Sequence, residues 1–280
     1  VSSFGALCTA MSATIGTGNI VGVATALAAG GPGSLFWMVV AAFFGMATKY
    51  SEGLLAIKFR TLDDQGNVSG GPMYYITHGF SGKWQTIAKP LAYFFAFAGV
   101  LVAWLGIGTF SQVNSITASL QNSFDWSPKI VSIILALITA AIIFGGIQSI
   151  SKVSEKVVPF MAGLYILAAL VVIFTNFNQL LPVLEMVFQS AFTGKAAVGG
   201  FAGATVMVAM RLGIARGVFS NESGLGSAPI AAAAAQTKEP VRQGLVSMCG
   251  TFIDTIVVCT MTGLAIVMMG SYEAINPVTG

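Results

Sequence analysis

Along most of this chain apolar residues run on for about 20 positions at a time, and polar ones gather between the runs. Residues 91–108, 130–147 and 157–174 contain no charged side chain. Such runs are too long for buried strands and too numerous for a signal peptide. They match the roughly 20 apolar residues that a helix needs to cross a bilayer. The pattern predicts an all-α transmembrane chain with about seven spanning helices, at 4–28, 34–59, 89–120, 128–147, 157–174, 196–235 and 245–269. The third and sixth are too long for one straight span, so each is expected to contain an extension or a break. A short surface helix is expected at 178–192.

Composition supports the same class. Hydrophobic residues make up 55% and charged residues 8%, against roughly a quarter charged in soluble domains. So few charges cannot coat a soluble domain of 280 residues. The net charge of +3 is scattered among loops, which speaks against nucleic-acid binding. Lys58, Arg60, Lys83 and Lys89 follow the second expected span, Lys152 and Lys156 the fourth, and Lys238 and Arg242 the sixth. The alternate loops carry Lys129 and Lys195. By the positive-inside rule, residue 1 enters from the cytoplasmic side. Cys8, Cys249 and Cys259 each sit in an apolar run, with no metal spacing or disulfide framework, and read as small buried hydrophobes. The sequence opens on Val1 and stops at Gly280. We expect a fragment truncated at both ends, with 1–280 forming a single transmembrane core.

The interruptions carry the chemistry. Irregular backbone at membrane depth is tolerated only where protein or a water-filled cavity surrounds it. The first span is interrupted by Thr14-Ile15-Gly16-Thr17-Gly18-Asn19. A break there frees amides that suit a carboxylate and carbonyls that suit a small cation, with Thr14, Thr17 and Asn19 adding side-chain oxygens. The alternative is a small-residue packing face, since Gly18 and Gly22 form a G-x-x-x-G spacing. In the third span, Gly108, Gln112 and Ser115 share one helical stripe that either lines a cavity or bonds a neighbouring helix. In the sixth, the stretch from Arg211 to Pro229 holds two Arg, Glu222, Asn221, four Gly and a Pro, and reads as a loop or a discontinuous helix. Ser220 and Asn221 before Glu222 resemble a helix start. Asp254 lies inside the seventh span beside Thr251 and Thr255. It reads as a cation ligand, a proton site, or the structural partner of Arg211 or Arg216. His78 lies in a polar loop without a partner cluster and reads as a solvated histidine.

These strings resemble a known family. Thr14-Ile15-Gly16-Thr17-Gly18-Asn19-Ile20-Val21-Gly22-Val23-Ala24 is similar to the signature of the alanine or glycine:cation symporters. So are Gly70-Gly71-Pro72-Met73-Tyr74-Tyr75-Ile76, the run from Gly217 to Pro229, and Asp254-Thr255-Ile256-Val257-Val258-Cys259-Thr260-Met261-Thr262. The resemblance implies a LeuT-type inverted repeat, of which this chain holds about core helices one to seven. The leading span and the last three core helices would lie outside it.

It also implies sodium-coupled import of alanine or glycine across a bacterial or archaeal plasma membrane. Gly16, Thr17, Gly18, Gly108, Gln112, Phe219 and Asn221 would bind the substrate, and Thr14, Ile15, Asn19 and Asp254 the sodium. No enzymatic activity, cofactor or nucleic-acid partner is implied. The oligomeric state stays open. Proton coupling through Asp254 or Glu222 is the alternative within transport. An intramembrane hydrolase lacks a nucleophile with a base, and a channel lacks a filter or ring.

Overall fold

The structure is a computed structural model and describes residues 1–62, 64, 68–105, 107–193 and 206–272. Helix α1 (Ser3–Thr14) stops before Gly16. After a 3-10 turn (Thr17–Asn19) the chain continues as α2 (Val21–Gly30), bent by 59° from α1. Then come α3 (Gly33–Lys58), a small antiparallel hairpin of β1 (Thr61–Leu62) and β2 (Val68–Ser69), α4 (Pro72–Gly79), α5 (Gln85–Leu105) and α6 (Ile107–Phe124). α7 (Pro128–Ile143), α8 (Gly146–Thr175), α9 (Leu180–Thr193), α10 (Val206–Asn221) and α11 (Ala228–Ala233) follow. The last span is α12 (Pro240–Thr251), a π-helical stretch (Phe252–Cys259) and α13 (Thr260–Met268).

Length and apolarity pick out three spans among the described residues, at Gly82–Phe124, Gly146–Thr175 and Pro240–Met268, and a fourth if the bent first pair counts as one. α3, α7 and α10 with α11 occupy the other expected stretches. One expectation needs correction. Lys152 and Lys156 do not lie in a loop, because α8 already starts at Gly146. Ser151, Ser154 and Val158 are buried at helical spacing, so this stretch is an amphipathic helix with its lysines outward. The expected surface helix is α9, which buries one face through Val183, Val187, Ser190 and Ala191.

The chain divides into two compact units. One comprises residues 1–13, 50–157 and 225–247. In it the Arg60 guanidinium donates to the carbonyls of Ala233 (2.8 Å), Ala235 (2.6 Å) and Thr237 (2.7 Å) beyond the short helix α11. The Gln236 amide donates to the Val1 carbonyl at 2.7 Å. Ser2 donates to the Glu155 carboxylate at 2.6 Å, tying the start of α1 to α8.

The other unit comprises residues 14–49, 158–224 and 248–280. Its core joins Val23, Leu27, Leu35, Met38, Ile173, Val187 and Val267. Phe36, Trp37, Phe188 and Phe192 pack edge to face, and the Trp37 indole donates to the Ala191 carbonyl at 3.1 Å, so α3 is held on α9. α10 lies along α2 and meets α3 through Gly213 and Gly217, four residues apart. A methyl group at Gly213 would run into the Ser34 carbonyl oxygen, and one at Gly217 would sit 3.2 Å from the Met38 carbonyl.

Gly213→Ala is therefore expected to destabilise the protein by about 1–3 kcal/mol through overpacking against backbone. Thermal unfolding of the purified protein in detergent checks this. Gly22→Ala, with open space around its added methyl, should leave the transition unchanged.

Candidate functional site

The site is built where three helices stop being regular. At the end of α1 the backbone turns extended at Gly16. Asn19 closes the break: its Oδ1 accepts the Gly16 N–H at 2.7 Å, replacing the bond that a continuous helix would have made. The Asn19 amide then faces away from its own span. Its Nδ2 lies 2.7 Å from Asp254 Oδ1, 3.0 Å from Ser220 Oγ and 3.3 Å from Cys259 Sγ.

The second break follows α10. Glu222 adopts a left-handed conformation (φ 52°), and Gly224 and Gly226 (φ 89° and 85°) keep the chain out of the helix until α11 begins. Ser220 and Asn221 thus end a helix, contrary to the helix start read from their sequence. Both are buried. Ser220 donates to Asp254 Oδ2 at 2.9 Å. Asn221 donates to Thr255 Oγ1 at 3.1 Å and accepts the Ser223 N–H at 3.0 Å.

The third irregularity is the π-helical stretch that carries Asp254. Its wider turn is of the kind often found at functional positions. Here Asp254 and Thr255, adjacent in sequence, are both fully buried in the same cluster. Thr255 donates to Asp254 Oδ2 at 2.7 Å. Asp254, 0% exposed, therefore accepts from an amide and two hydroxyls. Its anchoring group is Asn19 and not Arg211 or Arg216. Arg216 instead stacks over the Phe219 ring, 5.9 Å from its centroid.

Of the residues expected at the site, Thr14, Ile15, Gly16, Thr17, Gly18, Asn19, Phe219, Asn221 and Asp254 all belong to this one unit. Gly18 faces α10: a methyl there would rest 3.7 Å from the Ser220 backbone and 3.8 Å from the Phe219 ring. Among the described residues no atom lies within 4 Å of a methyl added at Gly22, so they show no close helix packing at its spacing from Gly18. Gln112, half-buried, and Gly108 lie on α6 in the other unit. Sequence reasoning named Ser220 and Thr255 without giving them a site role, and passed over Lys49. Lys49 is 4% exposed on α3, and its ammonium donates to the Glu222 carbonyl at 3.2 Å. A lysine amid the apolar residues of an expected span was the available signal for it.

Asn19→Ala is expected to cost more stability than Ser220→Ala. The first strands both the Gly16 N–H and a carboxylate oxygen, and the second removes one of three donors. Each buried group left unsatisfied costs about 1–3 kcal/mol. Melting temperatures of the two purified variants check the order.

The sequence matches the sodium:alanine symporter family over residues 1–280. It is 56% identical to an uncharacterized transporter of Haemophilus influenzae, over 99% of this chain and 59% of that protein. It is 51% identical to the sodium/alanine symporter AgcS of Methanococcus maripaludis, over 100% of this chain and 61% of that protein. A probable sodium/glutamine symporter, GlnT of Bacillus subtilis, is 41% identical over 98% of this chain and 55% of its own length. The chain thus spans well under two thirds of these relatives. With this match along its whole length and apolar helices broken around a buried polar cluster, the chain belongs to the sodium:alanine symporter family, a family of multi-pass membrane transporters and not of enzymes.

Proposed function

We propose that the protein containing this chain carries a small neutral amino acid, alanine or glycine, into the cell by symport with sodium. One observation carries the reading: two broken helices are joined at their breaks by the hydrogen bonds of Asn19 and Ser220 to Asp254. A broken helix offers free amides to a substrate carboxylate and free carbonyls to a cation, which a continuous one cannot do. Residues 1–280 then form part of one LeuT-type transporter core, in which the first and sixth spans are the discontinuous ones.

In this reading the amides at Gly16, Thr17 and Gly18 receive the carboxylate. Phe219 and Asn221 border the side chain. Sodium is held by oxygens of Thr14, Ile15, Asn19 and Asp254. Carboxylate and amide oxygens have more than one lone pair, so the hydrogen bonds already made leave room for a cation. The closeness of Phe219 to Gly18 supports a small substrate side chain. Orientation with residue 1 entering from the cytoplasm is supported by the bond between Gln236 and Val1 and by those of Arg60 to 233–237. These three regions are the ones that the charge pattern assigns to a single side. The membrane is the plasma membrane, where an inward sodium gradient drives import.

The reading is tested with the full-length protein in vesicles. Labelled alanine and glycine should enter saturably, driven by an inward sodium gradient and not by a proton gradient alone. Equal uptake with sodium replaced by choline contradicts the coupling. Gly18→Ala should lower alanine uptake more than glycine uptake, by roughly tenfold in the ratio, since one methylene is worth about 1–3 kcal/mol in a fitted pocket. An unchanged ratio would place the substrate side chain elsewhere.

A further inference from the structure

Asp254 and Cys259 stand five positions apart, yet they reach the same two partners. Asn19 Nδ2 lies 2.7 Å from Asp254 Oδ1 and 3.3 Å from Cys259 Sγ. Ser220 Oγ lies 2.9 Å from Asp254 Oδ2 and 3.3 Å from Cys259 Sγ. In a regular α-helix, side chains five apart diverge by about 140°. The wider turn of the π-helical stretch (Phe252–Cys259) brings them to one side. It presents both to the broken first span and to the end of α10. Such turns are rare in helices, so neighbouring bonds have to hold this one open.

Two hydroxyls do so. Thr260 Oγ1 reaches back five residues and donates to the Thr255 carbonyl at 3.3 Å. Thr262, 3% exposed near the start of α13, donates to the Val258 carbonyl at 2.8 Å. Its oxygen also lies 2.6 Å from Tyr165 Oη on α8. A carbonyl cannot donate, so the single Thr262 hydroxyl hydrogen is committed to Val258. The Tyr165 hydroxyl is therefore the donor of the other bond. The relay runs one way, from Tyr165 to Thr262 to the Val258 carbonyl, and it ends inside the π-helical stretch. All three residues belong to the unit that holds Asp254. α8 carries none of the three side-chain donors on the Asp254 carboxylate.

We propose that Tyr165 is a positioning residue of the transport site, acting through Thr262 to hold the π-helical turn that aims Asp254 at Asn19 and Ser220. The inference rests on the symport reading. It adds α8 to the elements that set sodium affinity. With the relay intact, the turn is in place before sodium arrives. With the relay broken, sodium binding has to restore the turn first, so the loss falls on sodium dependence and not on the maximal rate.

The experiment uses the full-length protein with Tyr165→Phe, Thr262→Val, the pair together, and Thr262→Ser. Amide hydrogen exchange of peptides covering residues 252–262, read by mass spectrometry on the purified proteins, reports the turn. The sodium concentration for half-maximal alanine uptake in vesicles reports the positioning. Tyr165→Phe should speed the exchange and raise the half-saturating sodium concentration, each by about three- to tenfold, the size of one interhelical hydrogen bond in a membrane. The pair should be no worse than Thr262→Val alone, because both changes break one relay. Thr262→Ser keeps the hydroxyl and should behave as wild type.

Unchanged exchange over 252–262 in Tyr165→Phe would overturn the proposal. So would a lowered melting temperature with wild-type sodium dependence, which is what a bond serving stability alone produces. If wild-type uptake ignores sodium, the symport reading fails, and hydrogen exchange still decides whether Tyr165 holds the turn.

Discussion

A carboxylate without any exposed surface has to be surrounded by donors, and the unit that holds the broken first span is arranged around that requirement at Asp254. Asn19, Ser220 and Thr255 each give it a hydrogen bond of 2.7–2.9 Å. Those donors come from the broken first span, from the end of α10, and from the π-helical stretch itself. The hydroxyls also point one way: Ser220 lies within reach of Asn19 and donates to Asp254, and Thr255 accepts from Asn221 and donates to Asp254. Chains of this kind strengthen one another at low dielectric, and losing one member strands the rest.

The helix interruptions follow from the same requirement. A regular α1 would spend the Gly16 N–H on its own preceding turn. Broken, it hands that donor to Asn19 Oδ1 and turns the Asn19 amide toward the carboxylate. A regular sixth span would keep the Glu222 carbonyl for its own next turn. Ended at Glu222, it exposes a carbonyl that Lys49 satisfies. Dense packing around the cluster makes these irregularities affordable. Gly213 and Gly217 let α10 press against α3, and an aromatic group around Trp37 fixes α3 to α9. Scaffold rigidity of this sort is what holds polar groups within hydrogen-bonding reach.

Much of this was legible in the sequence, and the reasons for the rest are physical. Apolar run length located most helices, and the glycine-rich strings located both breaks, because helix formers and breakers act locally. The α7–α8 boundary was misjudged because Lys152 and Lys156 look like loop residues, although they occupy the outer face of an amphipathic helix turn. Ser220 and Asn221 looked like a helix start because the same short polar residues serve either end. The left-handed Glu222 decided the matter, and single-residue backbone geometry is not written in periodicity. Asp254 announced itself as an ionisable residue among apolar ones. Asn19 was singled out too, but its bond to Asp254, 235 positions away in sequence, was not legible. Nothing in the residue pattern of 252–259 signals a π-helical turn.

The symport proposal makes the broken spans one site in which sodium and amino acid support each other's binding. Equilibrium binding of alanine to the purified full-length protein, titrated across sodium concentrations with choline as replacement, tests it most directly. Linkage requires that sodium raise alanine affinity and that alanine raise sodium affinity by the same factor. Symport through one site requires that reciprocal rise. An alanine affinity identical in sodium and in choline would contradict it.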